Sequence, residues 1–404
     1  MKVAVIGGGA AGFFAALGVK KNYPDSEVTI FERGQTPLAK VRISGGGRCN
    51  LTNNCPTIKE LSAAYPRGAK MLKKAFGTFN NIDTIKWFQS RGIPLLIEDD
   101  GRVFPASETS ETVIDYFLRQ AKRLEIALIL GEEVKNITLL NDKLELEFVG
   151  GRIPPTTFDK VIVTTGGSPK REGLVWLEKL GHKIVDPVPS LFTLRLPAER
   201  ITKLTGVAVD NTLVSIQGTN IEAEGSLLIT HWGMSGPAIL KLSSFGARLL
   251  SEKDYEVNLR LNWVGVRNND LVVKTLQDII DEHSNKLLLN FRPYSLPERL
   301  WHYLLKKSDF PANKKWGEIG KKGINKIANI LTNDIYSVKG TANFKEEFVT
   351  CGGVSLESVD SKTMQSKACP NLYFAGEVLD IDGITGGYNF QAAWTTGYIA
   401  SQLK

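Results

Sequence analysis

Short apolar runs alternate with polar, glycine-containing segments at the start of the chain. Val3–Ile6 and Val28–Phe31 are too short for helices and are typical of strands buried on both faces of a parallel sheet. Between them, Ala10–Lys20 has apolar residues at a spacing that a helix tolerates. The order strand, helix, strand predicts the β-α-β opening of a doubly wound sheet.

The alternation continues to about residue 190, and a turn-rich loop at 36–56 interrupts it after the second strand. The pattern predicts a helical region at 57–89, a hairpin at 93–104 that turns at Glu98–Gly101, a helix at 111–123, a strand at 126–130, a second hairpin from segments 137–140 and 144–148, and a strand at 160–165.

The pattern changes near Pro187–Pro189. Short alternating segments dominate residues 193–262 and predict an antiparallel, barrel-like part, whereas residues 269–332 have helical periodicity. Strand–loop–helix order returns at the end, with a strand at 372–375 and a helix at about 390–402. We therefore predict an α/β, Rossmann-like domain of residues 1–190 and 345–404. An insert at 191–344 interrupts it, with a barrel at about 191–262 and a helical part at about 265–332.

Composition excludes several classes of protein. The 42% hydrophobic and 23% charged residues are typical of a globular protein, and no apolar run approaches the roughly eighteen residues of a membrane span. We expect a cytoplasmic protein without a secretory signal. Cys49, Cys55, Cys351 and Cys369 form no C-x-x-C and have no nearby histidines, which argues against a dithiol reductase and a structural zinc; we expect no metal site. The net charge of +7 is compatible with an anionic substrate or nucleic acid and establishes neither.

The first loop has the spacing of a dinucleotide-binding site. Gly7, Gly9 and Gly12 form G-x-G-x-x-G between the first strand and helix, and Glu32 follows at the end of the second strand. The glycines suit a tight turn, a close approach of pyrophosphate to the backbone, and close helix–strand packing, while the carboxylate suits ribose hydroxyls. The alternative interpretation is a glycine-rich loop in an ordinary α/β domain.

The last segment favours FAD over NAD. The strand at 372–375 ends in Gly376 and Glu377, Asp380 follows, and Gly386-Gly387 opens the final helix. In two-segment FAD domains such a carboxylate faces the ribityl–pyrophosphate chain, and the helix N-terminus points at the flavin pyrimidine. A plain glycine-rich entry into a helix is the alternative interpretation of Gly386-Gly387.

Four motifs together resemble the BaiN-like NAD(P)/FAD-dependent oxidoreductases of bacteria: I-S-G-G-G-R-C-N-L-T-N at 43–53, G-S-L-L-I-T-H-W-G-M-S-G-P-A-I-L at 225–240, C-G-G-V at 351–354 and G-E-V-L-D-I-D-G-I-T-G-G-Y-N-F-Q-A-A at 376–393. The resemblance implies bound FAD in a glutathione-reductase-like domain that an insert interrupts. It also implies reduction of activated C=C bonds, in unsaturated steroid intermediates for some members and in uridine of large-subunit ribosomal RNA for others.

The resemblance also implies cofactor contacts, including a backbone contact from Val134 to adenine. The implied positions are Gly7, Gly9, Ala10, Ala11, Gly12, Glu32, Arg33, Arg42, Ser44, Gly45, Gly46, Gly47, Arg48, Cys49, Asn50, Val134, Thr165, Gly166, Gly167, Gly376, Glu377, Asp380, Gly386, Gly387, Tyr388, Asn389 and Gln391.

The candidate catalytic residues are Arg48, Cys49, His231 and Tyr388. Arg48 suits stabilisation of an enolate or of reduced-flavin charge, and its proximity is expected to favour the Cys49 thiolate. Cys49 is otherwise a small buried hydrophobe, and His231 a turn histidine bonded to backbone. Cys351 is a further candidate acid to which the family assigns no role.

The sequence leaves two questions about partners open: the electron donor and the binding of RNA. No second G-x-G-x-x-G is present, so NAD(P)H is expected as a transient donor on the flavin, or another protein supplies the electrons. Arg299–Lys326 is rich in basic residues, and Trp301, Tyr303 and Trp316 are interleaved with them, a pattern that suits single-stranded RNA but also a solvated basic surface. No feature indicates an oligomeric state.

The leading hypothesis is an FAD-dependent reductase that converts uridine in large-subunit ribosomal RNA to dihydrouridine. A reductase of a small-molecule enone or steroid is an alternative from the same class. A flavin-containing RNA-binding or redox-sensing protein without turnover is an alternative from another class, and the sequence does not settle reactivity with oxygen.

Overall fold

The computed structural model describes residues 1–341 and 349–404. Two compact units divide the chain: Met1–Pro189 with Val349–Lys404, and Ser190–Phe348. The second boundary predicted from the sequence, at 344/345, lies outside the described residues. None of the described helices is long and apolar enough to cross a membrane.

Helices are numbered here in chain order. The described helices are α1 (Ala10–Asn22), α2 (Ala39–Ile43), α3 (Ile58–Ala63), α4 (Ala69–Ala75), α5 (Asn81–Gln89), α6 (Glu111–Arg123), α7 (Val175–Glu178), α8 (Pro237–Phe245), α9 (Ala247–Glu252), α10 (Asn269–His283), α11 (Glu298–Lys307), α12 (Gly320–Thr332) and α13 (Tyr388–Ala400).

Strands are numbered in the same way. The described strands are β1 (Lys2–Ile6), β2 (Glu27–Glu32), β3 (Thr52–Asn53), β4 (Leu95–Ile97), β5 (Arg102–Pro105), β6 (Ala127–Leu130), β7 (Val134–Leu140), β8 (Lys143–Phe148), β9 (Thr156–Phe158), β10 (Lys160–Val163), β11 (Ile184–Ser190), β12 (Leu194–Arg195), β13 (Ala208–Ile216), β14 (Glu222–Ile229), β15 (Gly233–Ser235), β16 (Glu256–Asn262), β17 (Asp334–Lys339), β18 (Val349–Val354) and β19 (Leu372–Phe374).

A parallel five-stranded sheet organises the first unit, in the order β19-β10-β1-β2-β6. Its central strand β1 is buried along Val3–Ile6, as its continuous apolar run predicts. The edge strand β19 comes from the C-terminal segment, so the sheet needs both ends of the chain. Helices α1 and α13 pack closely, and a Cβ on Gly397 would lie 3.1 Å from the Ala11 carbonyl oxygen. This arrangement confirms the predicted α/β Rossmann-type fold.

The second unit contains a six-stranded antiparallel sheet, in the order β12-β15-β14-β13-β16-β17. Its ends meet, because Leu194 in β12 bridges Thr341, and the Arg195 N–H donates to the Gly340 carbonyl oxygen at 3.0 Å. The predicted barrel-like sheet is therefore confirmed.

Two details of the barrel differ from the sequence prediction. The sixth strand, β17, follows the helical part, so a barrel confined to 191–262 is incomplete. Helices α8 and α9 lie inside the range that was predicted to be strands. Pro237 opens α8, where its fixed φ and missing N–H are tolerated. The short apolar run after it has no periodicity long enough to distinguish helix from strand.

A buried histidine in the first unit makes stability depend on pH. The His182 Nδ1–H donates to the Leu177 carbonyl oxygen at 2.8 Å, and its Nε2 accepts from the Ser366 hydroxyl at 2.7 Å. Burial lowers the pKa of His182 from its usual 6.5. Below pH 6.5 the histidine therefore binds a proton in the unfolded chain but not in the folded chain. We expect the free energy of unfolding to fall as the pH falls through 6.5, by up to about 1.4 kcal/mol per pH unit.

The test is urea denaturation between pH 7.5 and 5.5. A His182→Gln variant is expected to lose this part of the slope. An identical slope in the variant and the wild type would assign the pH dependence to other groups.

Candidate functional site

The loop between β1 and α1 gives each fingerprint glycine a structural reason. Gly7 has φ +112°, and a Cβ there would lie 2.4 Å from the Thr164 carbonyl oxygen. A Cβ on Gly12 would lie 2.0 Å from the Gly7 carbonyl oxygen, so helix and strand could not pack so closely. At Gly9, by contrast, no described atom beyond the chain neighbours lies within 4 Å of such a Cβ. Gly7 therefore makes the tight turn, Gly12 allows the close packing and Gly9 leaves the backbone open, as their spacing predicts.

Glu32 ties the loop to the end of β2. Its two carboxylate oxygens accept from the Gly8 and Gly34 N–H groups, each at 2.7 Å. Each oxygen keeps a lone pair for a further donor such as a ribose hydroxyl. Arg33 is exposed beside Glu32, and Val134 begins β7 as a buried residue paired with Phe148.

Two helices of the first unit begin directly after glycines. Helix α1 follows Gly9 and helix α13 follows Gly387, so no capping side chain satisfies their first N–H groups. Neither first turn contains an acidic residue. Both ends therefore suit a negative charge, such as a pyrophosphate or an electron-rich ring.

The glycine loop (residues 44–50) is open on one side and packed on the other. Gly45, Gly46 and Gly47 have φ of +57°, +70° and +88°. A Cβ on Gly45 would lie 2.9 Å from the Phe104 ring, whereas Gly46 and Gly47 have no described neighbour within 4 Å of such an atom. Side chains at these two positions would fill a space that a flat cofactor ring could occupy.

The glycine loop meets the N-terminus of α13. With its amide oriented to satisfy both neighbours, Asn50 accepts from the Gly387 N–H at 3.1 Å and donates to the Thr52 carbonyl oxygen at 3.0 Å. A Cβ on Gly387 would lie 2.5 Å from that same carbonyl oxygen. Gly386 is as tightly placed, because a Cβ there would lie 2.9 Å from the Tyr388 ring.

The C-terminal segment also meets the other predicted segments. The Lys40 ammonium lies 2.9 Å from one Glu377 carboxylate oxygen, and the Thr350 N–H donates to the other at 2.9 Å. A Cβ on Gly376 would lie 3.0 Å from the Ala11 Cβ, and one on Gly167 would lie 2.6 Å from the Glu377 carboxylate. The structure thus brings together segments that lie far apart in the sequence: Gly7–Gly12, Lys40–Asn50, Thr165–Gly167 and Gly376–Gly387.

The polar side-chain atoms of two residues predicted to contact the cofactor are hydrogen-bonded within the protein. The Gln391 amide is buried and bonds to the Thr52 and Thr395 hydroxyls at 2.6 and 3.0 Å. Asn389 donates to and accepts from the Gly383 backbone at 3.0 and 2.8 Å. These two side chains hold the fold around α13, which sequence motifs do not distinguish from contact with a ligand.

Three other predicted contact residues also have bonding partners within the protein. Arg42 forms an ion pair with Glu111, and the Ser44 hydroxyl donates to the Val41 carbonyl oxygen at 2.9 Å. The Asp380 N–H donates to the Val354 carbonyl oxygen at 2.9 Å.

Arg48 is paired with carboxylates beside the glycine loop. Its guanidinium lies 2.8 Å from Glu98 and 3.4 Å from Glu108, and it stacks 4.0 Å from the centre of the Phe104 ring. The Glu98 hydrogen bond, partly opposed by desolvation, raises the pKa of Arg48. Its positive charge is thus already balanced within the protein.

Cys49 is fully buried in a left-handed conformation, with φ +63°. Burial raises the pKa of its thiol to about 12, and a hydrogen bond with Ser44 offsets this only in part. The expectation that Arg48 favours the Cys49 thiolate is wrong, because the arginine charge faces Glu98 and Glu108. The environment of Cys49 is that of a small buried hydrophobe.

The other two catalytic candidates lie in different units. Tyr388 begins α13, and burial raises the pKa of its hydroxyl. His231 is exposed in the turn between β14 and β15 of the barrel unit, with its ring centre 3.9 Å from that of Trp232.

Two of the three aromatic residues in the basic segment do not have the exposure that RNA stacking requires. Trp301 and Trp316 are fully buried and stack on each other, with ring centres 6.2 Å apart. Lys307 pairs at 2.6 Å with Asp334, which is itself buried. The expectation that these tryptophans hold bases is wrong, because Trp301 lies on the inward apolar face of α11, and Trp316, in the turn before α12, packs against it.

Some residues of the site were missed by sequence reasoning. The Thr164 hydroxyl donates to the Ile6 and Gly7 carbonyl oxygens at 3.0 and 2.9 Å and shapes the first loop. Arg67 pairs with the fully buried Asp382, two residues after Asp380. Only the position of Asp382 inside the last motif could have marked it. Within the described residues, no cluster of histidine, cysteine and acidic side chains could hold a metal.

Comparison with solved structures shows the fold. A 3-ketosteroid Δ1-dehydrogenase of Sterolibacterium denitrificans aligns with a TM-score of 0.50 at 10% identity, over 99% of this chain and 98% of that one. Sdh1 of Mycobacterium smegmatis aligns with a TM-score of 0.51 at 13% identity, over 99% of this chain and 67% of that one.

Comparison with sequences shows the family. A relative from Clostridium scindens, described as "3-dehydro-bile acid delta(4,6)-reductase", is 27% identical over 99% of this chain and 98% of its own. A relative from Escherichia coli, described as "Ribosomal RNA dihydrouridine synthase", is 28% identical over 98% of this chain and 96% of its own. The family model described as "HI0933-like protein Rossmann domain" matches residues 1–403. The chain therefore belongs to the HI0933-like Rossmann-domain family of FAD-dependent oxidoreductases, which confirms the resemblance seen in its motifs.

Proposed function

We propose that this protein reduces an activated C=C bond and that its substrate is a uridine in large-subunit ribosomal RNA. The observation that carries the redox part is the open glycine surface at Gly9, Gly46, Gly47 and Gly166, where a Cβ would meet no described atom within 4 Å. Such a surface fits a long, flat dinucleotide that approaches the backbone closely.

Different segments of the first unit would bind different parts of FAD. Gly7–Gly12 and the N-terminus of α1 would hold the FAD pyrophosphate, and Glu32 would hold the adenosine ribose. The glycine loop and the N-terminus of α13 would hold the isoalloxazine ring. When reduced, FAD supplies the hydride. We propose NAD(P)H as the source of electrons, bound transiently on the flavin because the sequence contains one dinucleotide fingerprint and no second one; another protein is the alternative donor.

The RNA part of the proposal is supported by relatives and by charge. Relatives from E. coli and from Haemophilus influenzae, both described as ribosomal RNA dihydrouridine synthases, are 28% identical over 98% of the chain. Lys306 on α11 and Lys321 and Lys322 on α12 are exposed, and within the described residues no ion pair engages them. Exposed ammonium groups of this kind bind phosphates by releasing counterions.

A small-molecule enone is the second candidate substrate. The burial of Trp301 and Trp316 favours it, because it removes two of the three aromatic residues proposed to stack on bases. The C. scindens relative, described as a bile acid reductase, supports the same alternative.

Mass analysis of large-subunit ribosomal RNA from cells with and without the gene tests the substrate. We expect one uridine to be about two mass units lighter without the gene, since reduction adds two hydrogens. An unchanged RNA would overturn the RNA assignment. Anaerobic mixing of the reduced protein with RNA or with an enone then tests turnover, because a sensor would show no substrate-dependent reoxidation.

Neutralising the basic surface separates the two substrates. Lys314, Lys315, Lys321 and Lys322→Gln should weaken RNA binding at least tenfold at low salt, because fewer phosphates are neutralised. The salt dependence of binding should also flatten by roughly 0.7 per lost contact. Turnover of a small enone should stay unchanged.

The matched control neutralises four exposed lysines of the other unit, at positions 70, 73, 74 and 86. An equal loss of RNA affinity in this control would mean that only net charge matters and would contradict a specific surface.

A further inference from the structure

A thiol and a phenol meet next to the N-terminus of α13. The Cys55 Sγ lies 3.6 Å from the Tyr388 hydroxyl oxygen and 3.3 Å from the Asn53 amide oxygen. Cys55 is 9% exposed, and Tyr388 adjoins Gly387, whose N–H reaches the glycine loop through Asn50. Cys55 and Tyr388 lie 333 residues apart in the sequence, so their contact is a finding of the structure.

The backbone around this pair is fixed from both sides. The Asn81 amide donates to the Asn53 and Cys55 carbonyl oxygens, each at 2.9 Å. The Tyr65 hydroxyl donates to the Tyr388 carbonyl oxygen at 2.7 Å, and the two rings meet edge to face at 6.1 Å. These bonds hold the backbone at Cys55 and at Tyr388 in place.

The number of hydrogens decides how the pair is bonded. The thiol carries one hydrogen, and the Asn53 amide oxygen can only accept, so that hydrogen points at Asn53. The sulfur then accepts from the Tyr388 hydroxyl. This hydrogen bond orients the Tyr388 hydroxyl. Because sulfur is a weak acceptor, the hydroxyl can rotate toward a better acceptor at little cost.

We propose that Cys55 is a positioning residue that holds the Tyr388 hydroxyl as the proton donor of the reduction. This inference rests on the proposed function. One carbon of the substrate C=C bond receives a hydride, and the neighbouring carbon or its conjugated oxygen takes the proton as the Tyr388 O–H bond breaks. The tyrosinate then recovers a proton from water, so the substrate gains two hydrogens in all.

The charge state of the pair suits this role. Burial raises the pKa of Cys55 and of Tyr388, and the neighbouring thiol raises that of Tyr388 further. The hydrogen bond from Tyr388 offsets part of the rise in the pKa of Cys55, whereas the carboxylates of Glu60 and Asp100 raise the pKa of Cys55 and of Tyr388 respectively. Both groups therefore keep their protons at neutral pH, as a donor and its holder must.

A double-mutant cycle tests the coupling in turnover. Tyr388→Phe should lower kcat by about 10²-fold or more, as expected for loss of a general acid. Cys55→Ala should lower kcat about tenfold with KM within twofold, and Cys55→Ser, which keeps an acceptor, should recover most of it. In the Tyr388→Phe background, Cys55→Ala should have no further effect. Equal effects of Cys55→Ala in both backgrounds would overturn the proposal.

A second measurement needs no turnover, so it separates this inference from the proposed function. The Raman S–H band of Cys55, isolated as wild type minus Cys55→Ser, should shift in Tyr388→Phe because the sulfur loses its donor. An unshifted band would overturn the contact whatever the reaction. Cys369→Ala is the matched control, since it removes a buried thiol whose nearest partner is the Pro370 carbonyl oxygen, and it should leave both kcat and the Cys55 band unchanged.

Discussion

Replacing Gly9 with valine is expected to give a folded protein that has lost its yellow colour. Gly9 has φ −93° and ψ −167°, which valine adopts without strain, and its Cβ position is open. The added methyl groups would occupy the space through which a pyrophosphate approaches the N-terminus of α1. We expect FAD affinity to fall at least 100-fold, about 2.7 kcal/mol.

The ratio of flavin to protein absorbance after purification measures this loss, with circular dichroism as the check on folding. Gly9→Ala, which adds one carbon, should lose less affinity. Gly12→Val should not fold, because its Cβ would lie 2.0 Å from the Gly7 carbonyl oxygen. A fully yellow Gly9→Val protein would disprove the assignment of this loop to the cofactor.

The sequence predicts an element well where local pattern and burial agree. Helix α6 matches its prediction at both ends, because its apolar stripe is regular and its first and last turns carry an acid and bases. Strand β17 was missed, since its place in the barrel depends on pairing with β16 across the helical segment. Strand β18 was missed for a similar reason, because its partner β11 lies far back in the chain.

The candidate site was also predictable only in part. The glycine positions were predictable because a left-handed φ or a close approach selects glycine from the backbone alone. The environments of Cys49, Gln391 and Trp301 were not, since burial and hydrogen-bond partners come from distant segments. Thr52, which bonds to Gln391, lies 339 residues from it. Sequence motifs therefore locate the site without saying which of its side chains face the ligand.

A buried carboxylate in the barrel unit provides the second large expected effect. Asp334 is 1% exposed, and its two oxygens accept from the Lys307 ammonium at 2.6 Å, the Tyr336 hydroxyl at 2.6 Å and the Trp263 indole at 2.9 Å. The Lys307 ammonium also lies 3.9 Å from the centre of the Tyr336 ring. The three donors share one carboxylate, and Lys307 is the one cation that pairs with it among the described residues.

Lys307→Met is therefore expected to lower the free energy of unfolding of this unit by about 3 kcal/mol. The value is at the low end for a broken buried ion pair, because the lysine side chain is 30% exposed and water can replace part of its charge. Urea denaturation measures the loss. Lys306→Met on the same helix is the control and should stay within about 0.5 kcal/mol of wild type, since Lys306 is exposed. Adding Asp334→Asn to Lys307→Met should recover part of the stability, because the uncompensated charge disappears. A double variant less stable than Lys307→Met would show that the carboxylate's hydrogen bonds outweigh its charge.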